Sequence, residues 1–365
     1  FEVSGPNALA LLDVVTTNDV STLEIGESHY SYFLFPDGSV VDDLMVYRRS
    51  AETYMLVVNA SNNDKDWAWI NAVNNGEVQI DAQRPDVRIQ HPAVIRDLRD
   101  LSHGDDCRVD IPLQGPQSTK ILTALCDEDM AERVKSLPWA GLTQGAVAGL
   151  DVIVSRTGYT GERVAYELFV HPDQAPRLWS MLLKVGEPLG LKSCGLAARD
   201  STRTEAGLPL YGHELAGDLS LNPADAGFGG YVKLWKPFFI GRGACIAHEQ
   251  ERDRMVTRFR MNEKGVRRPE TGDPILDRRG KVVGTVTSCA IDKNGYLLGQ
   301  AVLPLEMTKA DTQIAVYQLG GGKREIRTPK GIKLGARLPM PDGATVLTRF
   351  PLRKKVQKVQ EAKKS

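Results

Sequence analysis

The periodicity of this chain changes once along its length, and that change limits the folds open to it. Across residues 254–350 short apolar runs alternate with Gly, Pro and Asp turns, and almost no helical spacing occurs. Strands this short at regular intervals predict a compact β-barrel or sandwich. Upstream the two periods are mixed. Helical apolar spacing marks residues 7–15, 64–73, 117 to about 126, 175–185 and 197–207, the last ended by Gly207. Residues 30–35 and 39–48 read as strands joined by a Pro36-Asp37-Gly38 turn, and 54–59 and 147–154 as further strands. Short strands between polar turns are expected over 78–114.

The fold class is therefore α+β with an all-β end. At 365 residues the chain exceeds a single simple core. We expect two interleaved α+β domains over 1–240, a small β-barrel domain over 241–352 and a basic tail over 353–365. The first residues, Phe1-Glu2-Val3-Ser4-Gly5-Pro6, read like the middle of a strand, so an N-terminal segment is expected to be missing.

Charge and cysteine usage exclude several functions. Lys plus Arg and Asp plus Glu both number 46, leaving no net charge and no basic stripe for nucleic acid. Five scattered cysteines without a Cys-x-x-Cys pair argue against disulfides and zinc and for a reducing compartment, the cytoplasm. No apolar run approaches membrane-spanning length. His213 beside Glu214 lacks further ligands at metal spacing, so no metal is expected. Walker, Gly-x-Gly-x-x-Gly and Gly-x-Ser-x-Gly patterns are absent, which demotes nucleotide and serine-hydrolase chemistry.

Three segments concentrate groups that could carry chemistry. Residues 155–167 read Ser-Arg-Thr-Gly-Tyr-Thr-Gly-Glu-Arg-Val-Ala-Tyr-Glu, a glycine-bracketed turn at a strand exit with carboxylates Glu162 and Glu167. Such a turn lets a flat ligand approach the backbone, although a plain turn with solvated charges has the same composition. Asp42 and Asp43 sit in an apolar strand, where alternation sends them to opposite faces and at most one into any cavity. A solvated pair near a turn is the plain alternative. Asn59 ends a strand and precedes a helix, where capping is an ordinary use for asparagine. Arg199, Arg203 and Glu205 share a helix, where intrahelical ion pairs are ordinary too.

Taken in order, these segments resemble the aminomethyltransferase family, the T-protein of the glycine cleavage system and its relatives. The matching pieces include Asp37-Gly38-Ser39-Val40-Val41-Asp42-Asp43, Val57-Val58-Asn59-Ala60, Leu113-Gln114-Gly115-Pro116 and Arg156-Thr157-Gly158-Tyr159-Thr160-Gly161-Glu162. Further along come Ala198-Arg199-Asp200, Leu210-Tyr211-Gly212 and Phe239-Ile240-Gly241-Arg242. The resemblance implies three domains in a cloverleaf around a central cavity for tetrahydrofolate, the co-substrate. It implies that Asp43 is the catalytic carboxylate and that Glu167 accepts hydrogen bonds from the pterin, with Glu162 as the fallback. Tyr47, Asn59 and Tyr159 would line the pocket, and Arg199 would meet the glutamate tail or brace the site. Asp42 would face away, so that its replacement by Asn should matter little.

Two departures stand out. The loop through Arg163 and Val164 is one residue longer than the family's usual form, and Gly230 stands where many members carry tryptophan, which implies a wider cavity. The implied reaction moves an aminomethyl group from a lipoylated carrier protein to tetrahydrofolate, releasing ammonia. A tetrahydrofolate-dependent demethylase of a small methylated substrate and a non-catalytic folate-binding module are the alternatives.

Overall fold

The computed structural model describes residues 1–319, 332–339 and 342–351, so the basic tail expected at 353–365 lies outside the described residues. Two compact units divide the chain. One holds Phe1–Thr204 with Leu208–Val256, and the other holds Glu205–Gly207 with the chain from Thr257.

The first unit contains two sheets. The first sheet is built from β1 (Glu2–Ser4), β2 (Ser28–Leu34), β3 (Val40–Arg48), β4 (Thr53–Val58) and β5 (Val94–Arg96), in the order β2-β3-β4-β1-β5. Helices α1 (Ala8–Val15) and α2 (Asn63–Asn74) cover one of its faces. The β2–β3 turn is set by Asp37, whose Oδ1 accepts from the Ser39 backbone N–H at 2.9 Å and the Ser39 hydroxyl at 2.6 Å. Alternation along β3 sends Leu44 and Val46 into a core with Leu11, Leu12, Ile70 and Val73. Burying each such side chain is worth about 1.5–3 kcal/mol. The other face carries Met45 and Tyr47.

The second sheet contains β6 (Val109–Gln114), β7 (Leu142–Val147), β8 (Leu150–Ser155) and β9 (Ala165–Val170), in the order β6-β9-β8-β7. Helices α3 (Ser118–Thr123), α4 (Glu128–Ser136) and α5 (Ala175–Gly186) accompany it. The single strand expected over 147–154 is instead the end of β7, a turn and β8. Ala148 and Gly149 turn the chain with φ of +56° and +72°, the two positive values that a tight hairpin of this hand requires. Helix α4 escapes the apolar pattern because it buries only Met130 and Val134. Its signals are polar: Asp127 caps it through the Met130 N–H at 2.8 Å, with acids in the first turn and bases in the last. Between residues 78 and 114 only β5 and β6 form, fewer strands than expected.

The faces carrying Tyr47 and Phe169 meet. Tyr47, Met55, Leu98, Ile153 and Phe169 form one buried cluster, and the Tyr47 and Phe169 rings stand edge to face at 5.8 Å. Helices α6 (Leu196–Ala206) and α7 (Arg242–Glu251) are the remaining α-helices among the described residues. From Thr257 on, the second unit carries the closed barrel β10-β13-β12-β11-β14-β15, whose strands are β10 (Arg254–Met261), β11 (Pro274–Leu276), β12 (Val282–Ile291), β13 (Leu297–Pro304), β14 (Gln313–Val316) and β15 (Asp342–Val346). Phe259, Ile275, Val286, Leu303, Val316 and Val346 fill it. The α+β class and the barrel end are as the sequence predicts.

Candidate active site

Asp42 is wholly buried on the helix-covered side of β3, whereas Asp43 shares the opposite face with Met45 and Tyr47. Carboxylates in such surroundings need donors, and Asn59, Asn62 and Tyr30 supply them to the pair. Asn59, just past the end of β4, donates its backbone N–H to Asp42 Oδ2 at 3.0 Å and its Nδ2 to Asp42 Oδ1 at 2.9 Å. The same Nδ2 reaches Asp43 Oδ1 at 2.8 Å. Asn62 Nδ2 donates to Asp42 Oδ1 at 2.6 Å, and the Tyr30 hydroxyl donates to Asp43 Oδ2 at 2.7 Å. Asn59 is not a side-chain helix cap here. Its carboxamide is committed to the two aspartates.

These surroundings fix the proton affinity of Asp43. Burial, and then the adjacent Asp42, push its carboxyl up to about 6, while donation from Tyr30 and Asn59 pulls the other way. Burial and Asp43 together hold the Tyr30 hydroxyl protonated well above its usual range. Asp43 is therefore ionised at neutral pH yet able to take up a proton, the property required of a general base.

Glu167 projects from β9 on the face shared with Phe169. Its Oε2 accepts from the Tyr47 hydroxyl at 3.1 Å and from the Thr157 hydroxyl, and Ser155 bonds Thr157 in turn at 2.9 Å. Burial raises the Glu167 carboxyl, opposed by Thr157, Tyr47 and the positive Arg199. Both donors converge on Oε2, and among the described residues none donates to Oε1. The turn before β9 depends on glycine twice. A Cβ on Gly158 would stand 2.6 Å from the Ala165 Cβ, and Gly161 has a φ of +75°.

Tyr159 lies within electrostatic reach of Asp43, and Arg199 stacks over its ring at 5.0 Å. Its hydroxyl donates to the Pro209 carbonyl. The structure thus joins Asp43 to Asn59, Glu167 to Tyr47, and Tyr159 to Arg199, all within the first unit. Glu162 stays apart: its Oε1 accepts from the N–H groups of Arg163 at 2.7 Å and Val164 at 3.4 Å, within its own turn. Gly230 faces open space beside Tyr231, whose ring meets Tyr30 at 5.0 Å. Arg203 pairs with Asp200 on its own helix and with the buried Glu214 beyond it.

Sequence reasoning missed Tyr30, Asn62, Thr157 and the part played by Asp42. The doubled carboxamides of Asn59-Ala60-Ser61-Asn62 were a readable signal, since both can turn back to the end of β3. The described residues contain no group of three or more His, Cys, Asp and Glu able to hold a metal ion.

Residues 1–236 match the family model described as the GCVT N-terminal domain. An aminomethyltransferase of Alkaliphilus oremlandii (strain OhILAs) is 38% identical over 321 residues, covering 86% of this chain and 79% of that protein. The aminomethyltransferase of Bacillus subtilis (strain 168) is 36% identical over 324 residues, covering 86% and 80%. The crystal structure of glycine cleavage system aminomethyltransferase T from Bartonella henselae superposes with a TM-score of 0.71 at 25% identity, covering 95% of this chain and 82% of that one. Matched by the family model through both sheets of its first unit, and by full-length relatives over most of its residues, the chain belongs to the aminomethyltransferase (GCVT) family.

Proposed function

We propose that this enzyme transfers an aminomethyl group from the lipoyl arm of a carrier protein to tetrahydrofolate, releasing ammonia and forming methylene-tetrahydrofolate. The observation that carries the reading is Asp43, a carboxylate held by Tyr30 and Asn59 and poised at about 6, in a chain of this family. Tetrahydrofolate supplies the amines that receive the one-carbon unit. Asp43 would orient the accepting amine, take up or return its proton and stabilise positive charge as it develops.

Glu167 would accept from the adjacent N–H donors of the pterin, with Oε2 already oriented by Tyr47 and Thr157. Tyr159 would wall the pocket, and Arg199, stacked on it, would meet the negative tail of the folate. Asn59 would hold Asp43 in place. The reading includes a cytoplasmic location; no described helix is long and apolar enough to cross a membrane.

The relatives named above are all aminomethyltransferases, which favours this reading over the demethylase and the non-catalytic module. The test is incubation with an aminomethyl-lipoyl carrier protein and tetrahydrofolate, with ammonia and methylene-tetrahydrofolate measured together. Equal yields of the two are expected. Methyl-tetrahydrofolate formed from a methylated amine without ammonia, or folate binding without turnover, would overturn it.

A further inference from the structure

Asp66 lies in the first turn of α2 and is wholly buried. Neither of its carboxyl oxygens receives a hydrogen bond from an ordinary donor. Helix α2 packs against β3, and the carboxyl of Asp42, wholly buried there too, is the neighbour that interacts with it most strongly. Two neighbouring carboxylates repel, and a single proton between them turns the contact into a hydrogen bond.

The surrounding donors decide which carboxyl holds that proton. Asp42 accepts from the Asn59 N–H, the Asn59 carboxamide and the Asn62 carboxamide, all of which favour its charged form. Asp66 has no such support. Burial, and then Asp42, push its carboxyl up to about 9. The cation beside it, Lys65, is directed to the Tyr211 hydroxyl at 2.7 Å and only partly opposes this, and Asp43 adds a further negative neighbour. Asp43 in turn is faced by Asp42, Tyr30 and Tyr159.

We propose that Asp66 is a positioning residue of the transfer reaction: as a neutral acid it donates to Asp42, and Asp42 thereby fixes the Asn59 carboxamide that holds Asp43. The role rests on the reading of Asp43 given above. With Asp66 donating, the remaining lone pairs of Asp42 are directed to Asn59 and Asn62. Without it the Asp42 carboxylate gains freedom to turn, and Asn59 loses its anchor while Asp43 keeps its own charge.

The test compares kcat and KM for tetrahydrofolate in Asp66→Asn, Asp66→Leu, Asn59→Ala, the Asp66→Leu/Asn59→Ala double variant and Asp43→Asn. Asparagine keeps the volume and a donor, so Asp66→Asn should hold kcat within about 3-fold of wild type. Asp66→Leu should lower kcat about 10-fold or more with KM changed by no more than about 2-fold. In the Asn59→Ala background it should cost nothing further, because both act through one carboxamide. Independently of turnover, infrared spectra at mildly alkaline pH should show a carboxylic-acid C=O band in the wild type that is missing from Asp66→Asn. A folded Asp66→Leu with normal kcat, an Asp66→Asn as slow as the leucine variant, additive losses with Asn59→Ala, or an unchanged band would each overturn the proposal. Should Asp66→Leu fail to fold, Asp66→Asn and the infrared band decide. Normal turnover by Asp43→Asn would instead defeat the underlying reading, leaving the band to report on Asp66 alone.

Discussion

Asn59 Nδ2 donates to Asp42 Oδ1 at 2.9 Å and to Asp43 Oδ1 at 2.8 Å, so one carboxamide holds two neighbouring carboxylates. An NH₂ group has two hydrogens, and each aspartate takes one. The strand pleat sends the two side chains to opposite faces, and Asn59 joins them around the end of β4. The charge that Asp42 keeps on the core side is felt by Asp43 on the other side, where it helps raise the carboxyl to about 6. Proton affinity at the candidate catalytic group is thus set from the hydrophobic side of the sheet.

Asp43→Asn should leave tetrahydrofolate affinity nearly intact and lower kcat by about 10²–10⁴-fold, the usual range for loss of an acid–base group. In the wild type kcat should fall as pH drops through about 6, where Asp43 becomes protonated. Stability has the opposite sign. Raising a carboxyl from 3.8 to about 6 makes the folded state bind the proton more tightly, so stability falls as pH rises from about 4 to 6. Asp43→Asn should therefore match wild type below pH 4 and melt at a higher temperature above pH 6. Parallel single-turnover rates, folate titrations and melting curves check all three outcomes. Near-normal turnover would remove Asp43 from the mechanism.

Asp42→Asn should be costly, contrary to what the sequence suggests. Its oxygens face N–H donors from Asn59 and Asn62, and an amide NH₂ turned toward them leaves a buried donor unsatisfied. A loss of about 1–3 kcal/mol in urea unfolding is expected. Removing the negative neighbour of Asp43 should also move the acid limb of kcat to lower pH. An unchanged profile with unchanged stability would show that the buried half of the pair is idle.

The difference between these two aspartates marks where sequence reading stops. Period-two alternation separated the faces of β3, because that rule is local to the strand. It could not reveal that Asn59 and Asn62, well over a dozen residues further on, return to Asp42, since that contact depends on how β4 leads into α2. Thr157 was hidden in the same way: its hydroxyl meets Glu167 only because β8 and β9 pair Ser155 with Glu167. The barrel was legible because short strands and turns repeat throughout it. Helix α4 was not, because charge pattern and a cap carry it where apolar spacing does not. The Ala148–Gly149 turn was hidden inside one apolar run, where positive φ at an alanine has no sequence mark.

Glu167→Gln should weaken tetrahydrofolate binding more than Glu162→Gln. Glu167 has an Oε1 to which no described residue donates, on a face shared with Phe169, whereas Glu162 is satisfied by the backbone of its own turn. An amide at 167 would oppose one donor to another, at a cost of about 1–3 kcal/mol. That is roughly 5- to 150-fold in Kd by calorimetry. A larger loss at Glu162 would mean that the pterin contact lies in the turn before β9 and not on the strand.

Glu214→Gln should destabilise the first unit without altering the chemistry. Arg203 is 1% exposed and Glu214 wholly buried, and their charges meet at 2.6 Å. Arg203 also binds Asp200 at 2.5 Å, but that carboxylate is 38% exposed and surrounded by more water. Glutamine keeps one acceptor for Arg203 and removes the charge that justifies burying a guanidinium. Breaking a buried pair from one side commonly costs about 3–5 kcal/mol, and the retained hydrogen bond places this case near the lower end. Glu249→Gln is the control, because its carboxylate, 3.2 Å from Arg252, is itself 47% exposed, and pairs screened by water in this way contribute about 0–1 kcal/mol. Urea denaturation of both variants, with kcat measured per folded enzyme, separates stability from catalysis. If Glu214→Gln shifts the midpoint no further than Glu249→Gln, the buried ion pair is not what fixes the helix that carries Arg199.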